Sequence, residues 1–140
     1  MIEQFFIAFF SVAGFAILFN IPKKEILRAS FAGAFGWLVY HYVSSISNTY
    51  VLSSFLGACA VSIISEMFAR KYKQAVTVFV IPGILPLVPG AGMYYTMLAI
   101  IQKSFDKAAL LGTETIFIAG SISVAILLVS SSARLLSAKK

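Results

Sequence analysis

Four long stretches without a single charged residue, set between short charged clusters, constrain this chain more than any other feature. Residues 4–22, 29–65, 74–102 and 115–133 contain no Asp, Glu, Lys or Arg, over 19, 37, 29 and 19 residues. A soluble domain of 140 residues turns much of its surface to water and needs charges throughout. About 20 apolar residues of helix, by contrast, cross a hydrocarbon core of about 30 Å. The composition agrees: 60% hydrophobic and 11% charged, where soluble domains run at about 45–50% and about 25%. These figures exclude an ordinary cytosolic globule, a disordered chain and a secreted disulfide scaffold. They predict an all-α integral membrane protein.

The first and last stretches are each one span. Asn20 and Pro22 end the first, since proline disfavours helix in the residue before it. The 37-residue stretch suits two helices joined at the polar run Ser44-Ser45-Ile46-Ser47-Asn48-Thr49. The 29-residue stretch is interrupted by proline and glycine. The expectation is one membrane domain over residues 1–140 with about five transmembrane helices, at roughly 4–22, 29–46, 50–68, 75–102 and 114–134. The chain opens on Glu3 with no basic segment before its first apolar run, which reads as a retained helix rather than a signal peptide. Cys59, the single cysteine, cannot form an internal disulfide.

With five crossings, Lys23, Lys24, Arg28, Arg70, Lys71, Lys73, Arg134, Lys139 and Lys140 fall on one side, nine of the eleven basic residues. Lys103 and Lys107 face the other side with Asp106 and Glu114. The positive-inside rule then puts the N-terminus outside and the C-terminus in the cytoplasm. If residues 75–102 only dip into the membrane and return, the tail flips outward and the split weakens to eight against three. The net charge of +6 therefore reads as orientation in a lipid bilayer rather than nucleic-acid binding.

Three prolines and three glycines lie between Pro82 and Gly92. Proline lacks a backbone N–H and clashes with the preceding helical turn, so Pro82, Pro86 and Pro89 make a continuous helix here improbable. Non-helical backbone persists at membrane depth only where protein or a wet cavity surrounds it. Broken helices of this sort bring half-helix ends and free carbonyls to a transported solute, whereas a kink with a purely structural role is the alternative. Tyr94 and Tyr95 follow the break, placed either to hydrogen-bond a solute or to anchor the chain at the interface. His41, between Tyr40 and Tyr42, and Glu66 are candidates for carrying a coupling proton, because ionisable groups in a membrane are costly to keep. Their structural alternatives are a neutral hydrogen-bonded imidazole and a Glu66–Arg70 pair at i,i+4. Small residues recur four apart, at Ala29/Gly33, Ala32/Gly36, Ser53/Gly57 and Ser54/Ala58/Ser62, which lets helices approach closely. No nucleophile motif, metal-ligand spacing or phosphate loop occurs. The expectation is therefore no enzyme, no cofactor, no metal site and no nucleic-acid partner.

Gly14-Phe15-Ala16-Ile17-Leu18-Phe19-Asn20-Ile21-Pro22, then Gly33 and Gly36, then Ile81-Pro82 and Pro86-Leu87-Val88-Pro89-Gly90 with Tyr94 and Met97, resemble the threonine/serine exporter (ThrE) family. The similarity covers nearly the whole chain and is nearest to the small subunit of the family's split type. It implies a secondary exporter of small metabolites in a bacterial inner membrane, of threonine- or serine-type amino acids or of a small dicarboxylate such as succinate. It also implies a larger exporter subunit as hetero-oligomeric partner. The small-residue faces allow a homo-oligomer besides. Asn20, Pro22, Pro86, Pro89, Gly90 and Tyr94 are the matched positions, with Tyr95 beside them as a further solute-binding candidate. A passive channel subunit and a non-transporting scaffold are the rival readings.

Overall fold

The computed structural model describes residues 2–138, with side chains through Leu135. Lys139 and Lys140, counted above with the basic tail, lie outside the described residues. Among the described residues there are six α-helices, one 3-10 turn and no strand. They are α1 (Ile2–Leu18), α2 (Lys23–Ser47), α3 (Tyr50–Tyr72), α4 (Thr77–Ile84), the 3-10 turn Leu85–Leu87, α5 (Gly90–Ile101) and α6 (Phe105–Ala138).

The helix boundaries follow local chemistry. Asn20, Asn48, Lys73 and Lys103 each adopt a positive φ, between 50° and 57°, at a helix end. Asparagine tolerates that conformation better than most residues. The Asn48 N–H donates to the Ser44 carbonyl at 3.3 Å and closes α2. The expected turn in the 37-residue stretch is therefore only Asn48-Thr49; the serines before it are helical. In spans, hydroxyls donate to carbonyls one turn back, as Ser30 does to Ile26 at 2.8 Å and Ser53 to Thr49 at 2.8 Å. This satisfies these hydroxyls without water, whereas the buried hydroxyls of Ser62 and Ser65 have no hydrogen-bond partner among the described residues.

Two helices, Tyr50–Tyr72 and Phe105–Leu135, are long and apolar enough to cross a membrane. Thr77–Leu87 and Gly90–Ile101 make a third only if they count as one broken span, bent by 51°. Ile2–Leu18 is apolar but shorter. α2 begins at Lys23 and carries Lys23, Lys24, Glu25 and Arg28 inside the helix, where a charged loop was expected.

The small-residue positions are where the helices touch. Ala29, Ala32, Gly33, Gly36, Ser53, Ser54, Gly57, Ala58 and Ser62 are all buried. A Cβ on Gly33 would lie 2.9 Å from both the Cα and the carbonyl oxygen of Gly83, so α2 and α4 cross backbone to backbone. A Cβ on Gly36 would collide with Val61 and come within 3.1 Å of the Gly57 carbonyl, which fixes the α2–α3 crossing. Beyond these crossings lies a thin core of Ala58, Val61, Leu87, Ile122 and Ala125, joining α3, the 3-10 turn and α6.

The charged ends are tied together. The Arg28 guanidinium contacts both carboxylate oxygens of Glu25 at 2.7 Å and lies 3.3 Å from the centre of the Tyr72 ring. Arg70 donates to the Ala133 carbonyl. These contacts gather Arg28, Arg70 and Arg134 at one end of the bundle.

Candidate functional site

The break between α4 and α5 has a definite geometry. Pro82 sits inside α4, so the Val78 carbonyl has no N–H four residues on. After the 3-10 turn, Val88 is extended at ψ 130°, and α5 starts at Gly90. The Gly90 N–H donates to the Val88 carbonyl at 2.8 Å and the Met93 N–H to Pro89 at 3.1 Å. The N–H groups of Ala91 and Gly92, in the first turn of α5, have no backbone acceptor among the described residues. Such groups, with the positive end of the helix dipole, attract a carboxylate.

This break forms the floor of a cleft of about 530 Å³. Trp37 and Tyr40 of α2 supply one wall, their rings stacked at 5.1 Å between centroids. Tyr50 and Ser54 of α3 continue it, and Glu114 and Thr115 of α6 lie opposite, beside Tyr95. Ser54 is 1% exposed. The cleft thus sets a carboxylate, phenol and serine hydroxyls, and a helix N-terminus around an apolar floor. Among its lining residues there is no Lys or Arg. α6 can approach α5 closely because Gly92 faces Thr115, where a Cβ would meet the threonine hydroxyl.

Of the expected site residues, Pro86, Pro89, Gly90 and Tyr95 come together at this cleft. Tyr94 does not join them: it is 63% exposed and packs edge-on against the Tyr95 ring at 5.3 Å. Asn20 and Pro22 are exposed at the far end of α1, where Asn20 terminates the helix with its N–H on the Ile17 carbonyl at 3.0 Å. His41 is exposed and does not line the cleft although Tyr40, next to it, does. Glu66 lies 3.9 Å from Arg70 and lines a different cleft near the basic end.

Glu114, Tyr40, Trp37, Tyr50 and Ser54 were not among the expected site residues. Glu114 left a legible trace, as the acid at the head of the uncharged run 115–133. The aromatic pair Trp37 and Tyr40 is spaced i,i+3, so both fall on one helix face. Tyr50 and Ser54 carry no trace beyond the turn that precedes them.

Comparison with known proteins gives two findings. Residues 4–132 match the family described as "Threonine/Serine exporter, ThrE". An uncharacterized protein of Haemophilus influenzae is 25% identical over 89 residues, which are 64% of this chain and 30% of that protein. No solved structure matches. The chain spans well under half of that relative's length at the match. With the family match covering almost all of its residues, the chain belongs to the threonine/serine exporter (ThrE) family.

Proposed function

We propose that this chain is the small membrane subunit of a two-component secondary exporter, and that the cleft at the α4–α5 break binds a threonine- or serine-type amino acid. One observation carries the reading: the free N–H groups at the start of α5 and the Glu114 carboxylate line one cleft. The first suits the carboxylate of an amino acid, the second its ammonium group. Thr115 and Ser54 lie between them for a hydroxyl-bearing side chain. A dicarboxylate such as succinate fits less well, because the cleft holds a carboxylate and no cationic side chain.

Five crossings of a bacterial inner membrane, with the N-terminus outside and the C-terminus in the cytoplasm, belong to the same proposal. The gathering of Arg28, Arg70 and Arg134 at one end supports it. A larger subunit of the same family completes the unit. Glu114, Tyr50 and Tyr95 are exposed along the cleft mouth of the lone chain. An ionised group at membrane depth needs protein or water over it, not lipid. Transport runs on an ion gradient, with Glu66 and His41 as the coupling candidates.

The test is efflux from cells fed a threonine-containing dipeptide. Deleting this gene together with that of its larger partner should raise intracellular threonine and serine, and restoring both genes with Glu114→Gln in this chain should leave them raised. Unchanged threonine and serine in the deletion strain would overturn the amino-acid reading, and succinate efflux would then be assayed. Flux that never saturates would identify a channel instead.

A further inference from the structure

A second polar cleft, of about 390 Å³, opens between α3, α4 and α6 at the basic end. Its charged lining is Arg70, Arg134 and Glu66, and Thr77 and Ser130 add hydroxyls. Two guanidinium groups face one carboxylate, so the cleft is net positive where the first is negative. Arg70 lies 3.9 Å from Glu66 and donates one N–H to the Ala133 carbonyl, which leaves its other N–H groups for a ligand. Arg134 makes no ion pair among the described residues. Val76 and Thr77, at the start of α4, also line it.

The two clefts share α3 and α6 and sit one above the other. On α6 the first ends at Ile118 and the second begins at Ile126, about 12 Å apart along a helix. Between them lies the thin core of Ala58, Val61, Leu87, Ile122 and Ala125. Leu87 belongs both to that core and to the lining of the first cleft.

We infer that the second cleft is a binding station for the carboxylate of a small solute, held by Arg70 and Arg134, on the far side of the thin core from the first. This rests on reading the first cleft as a solute site. Solute held by its ammonium and carboxylate in one cleft is held by its carboxylate in the other, so the chain carries a binding position at each end of one path. A lipid phosphate shares the chemistry, and the test separates the two sources.

The test uses full-length protein in vesicles, with Cys59→Ala to remove the native thiol and Ser130→Cys as reporter. An anionic and a cationic methanethiosulfonate are compared. The anionic reagent should react faster by about threefold or more, because the two guanidiniums raise its local concentration. L-Threonine or succinate should slow the reaction in phosphatidylcholine vesicles. Arg70→Ala with Arg134→Ala should abolish both effects. Equal rates for the two reagents with no protection by either solute would overturn the inference. So would protection that needs only phosphatidylglycerol in the vesicles, since a headgroup would then be the occupant. Ala91→Cys in the first cleft separates the two readings. Protection at position 130 without protection at 91 supports the second station and removes the amino-acid reading of the first. Protection at 91 alone overturns the second station and leaves the first intact.

Discussion

Gly33→Ala tests the claim that the broken segment is held by backbone contact rather than by side chains. The new methyl would lie 2.9 Å from the Cα and carbonyl oxygen of Gly83, and 2.7 Å from Val12 Cγ2. Ordinary contact begins at 3.4 Å, so α2 and α4 must part by about 0.5 Å. Val12 and Pro82 are fully buried, and backbone cannot rotate out of the way. Overpacking of this kind costs about 1–3 kcal/mol. The better helix propensity of alanine returns about 1 kcal/mol, which leaves a net loss of up to about 2 kcal/mol. Gly14→Ala is the matched control, because a Cβ there meets nothing within 4 Å. It should stabilise by about 0.5–1 kcal/mol through helix propensity alone. Trp37, the single tryptophan, lies one turn beyond Gly33 on α2 and reports on this junction. Thermal unfolding in detergent, followed by its emission, should separate the two variants by about 4–10 °C. If Gly33→Ala melts with Gly14→Ala, at or above the parent, the helices do not meet through Gly33 and Gly83.

Arg28→Ala should destabilise the chain by about 3–5 kcal/mol, because it strands the Glu25 carboxylate, whose side chain is 6% exposed. Arg70→Ala loses a loose pair with Glu66, 3.9 Å away, and the hydrogen bond to the Ala133 carbonyl, and should cost about 1–2 kcal/mol in the same melting assay. Gln4→Ala removes the acceptor of the Trp37 indole N–H, now 3.1 Å away. It should cost about 1 kcal/mol and shift the Trp37 emission to shorter wavelength. Glu114→Gln should weaken threonine binding to the purified protein at least about tenfold, or about 1.4 kcal/mol, without lowering the melting temperature. Equal affinity in that variant would remove Glu114 from the site.

What the sequence carried plainly was the break. Pro82, Pro86 and Pro89 each delete a donor, and although α4 runs on past Pro82 to Ile84, three such losses in eight residues break the helix before α5 begins at Gly90. The stripes of small residues were legible for the same reason: Gly33, Gly36 and Ala58 have little use on a lipid-facing surface and recur with the period of a helix face. Charges misled about boundaries, because Lys23, Lys24, Glu25 and Arg28 read as loop yet form the first turns of α2. There, Glu25 pairs with Arg28, and Arg28 in turn covers the ring of Tyr72 from α3, a contact 44 residues apart in sequence that no local pattern announces.

The site itself was half legible, and the missing half is of one kind. Residues that act through backbone, such as Pro86, Pro89 and Gly90, reveal themselves by type. Glu114, Tyr40 and Ser54 act through where α6, α2 and α3 cross, and crossing points are set by pairs such as Gly36–Gly57 and Gly92–Thr115 that only the packed chain brings together. Tyr94 and Tyr95 show the difference most directly. They are adjacent and identical, so sequence cannot separate them, but side chains one residue apart on a helix diverge by about 100°. Tyr95 therefore meets the cleft and Tyr94 the exterior. A solute site built this way is fixed by the rotation of α5 about its own axis, and the glycine–threonine contact with α6 is what sets that rotation. Filling Gly92 should thus disturb the cleft more than changing Tyr94, although Tyr94 is the larger side chain and the one the sequence put forward.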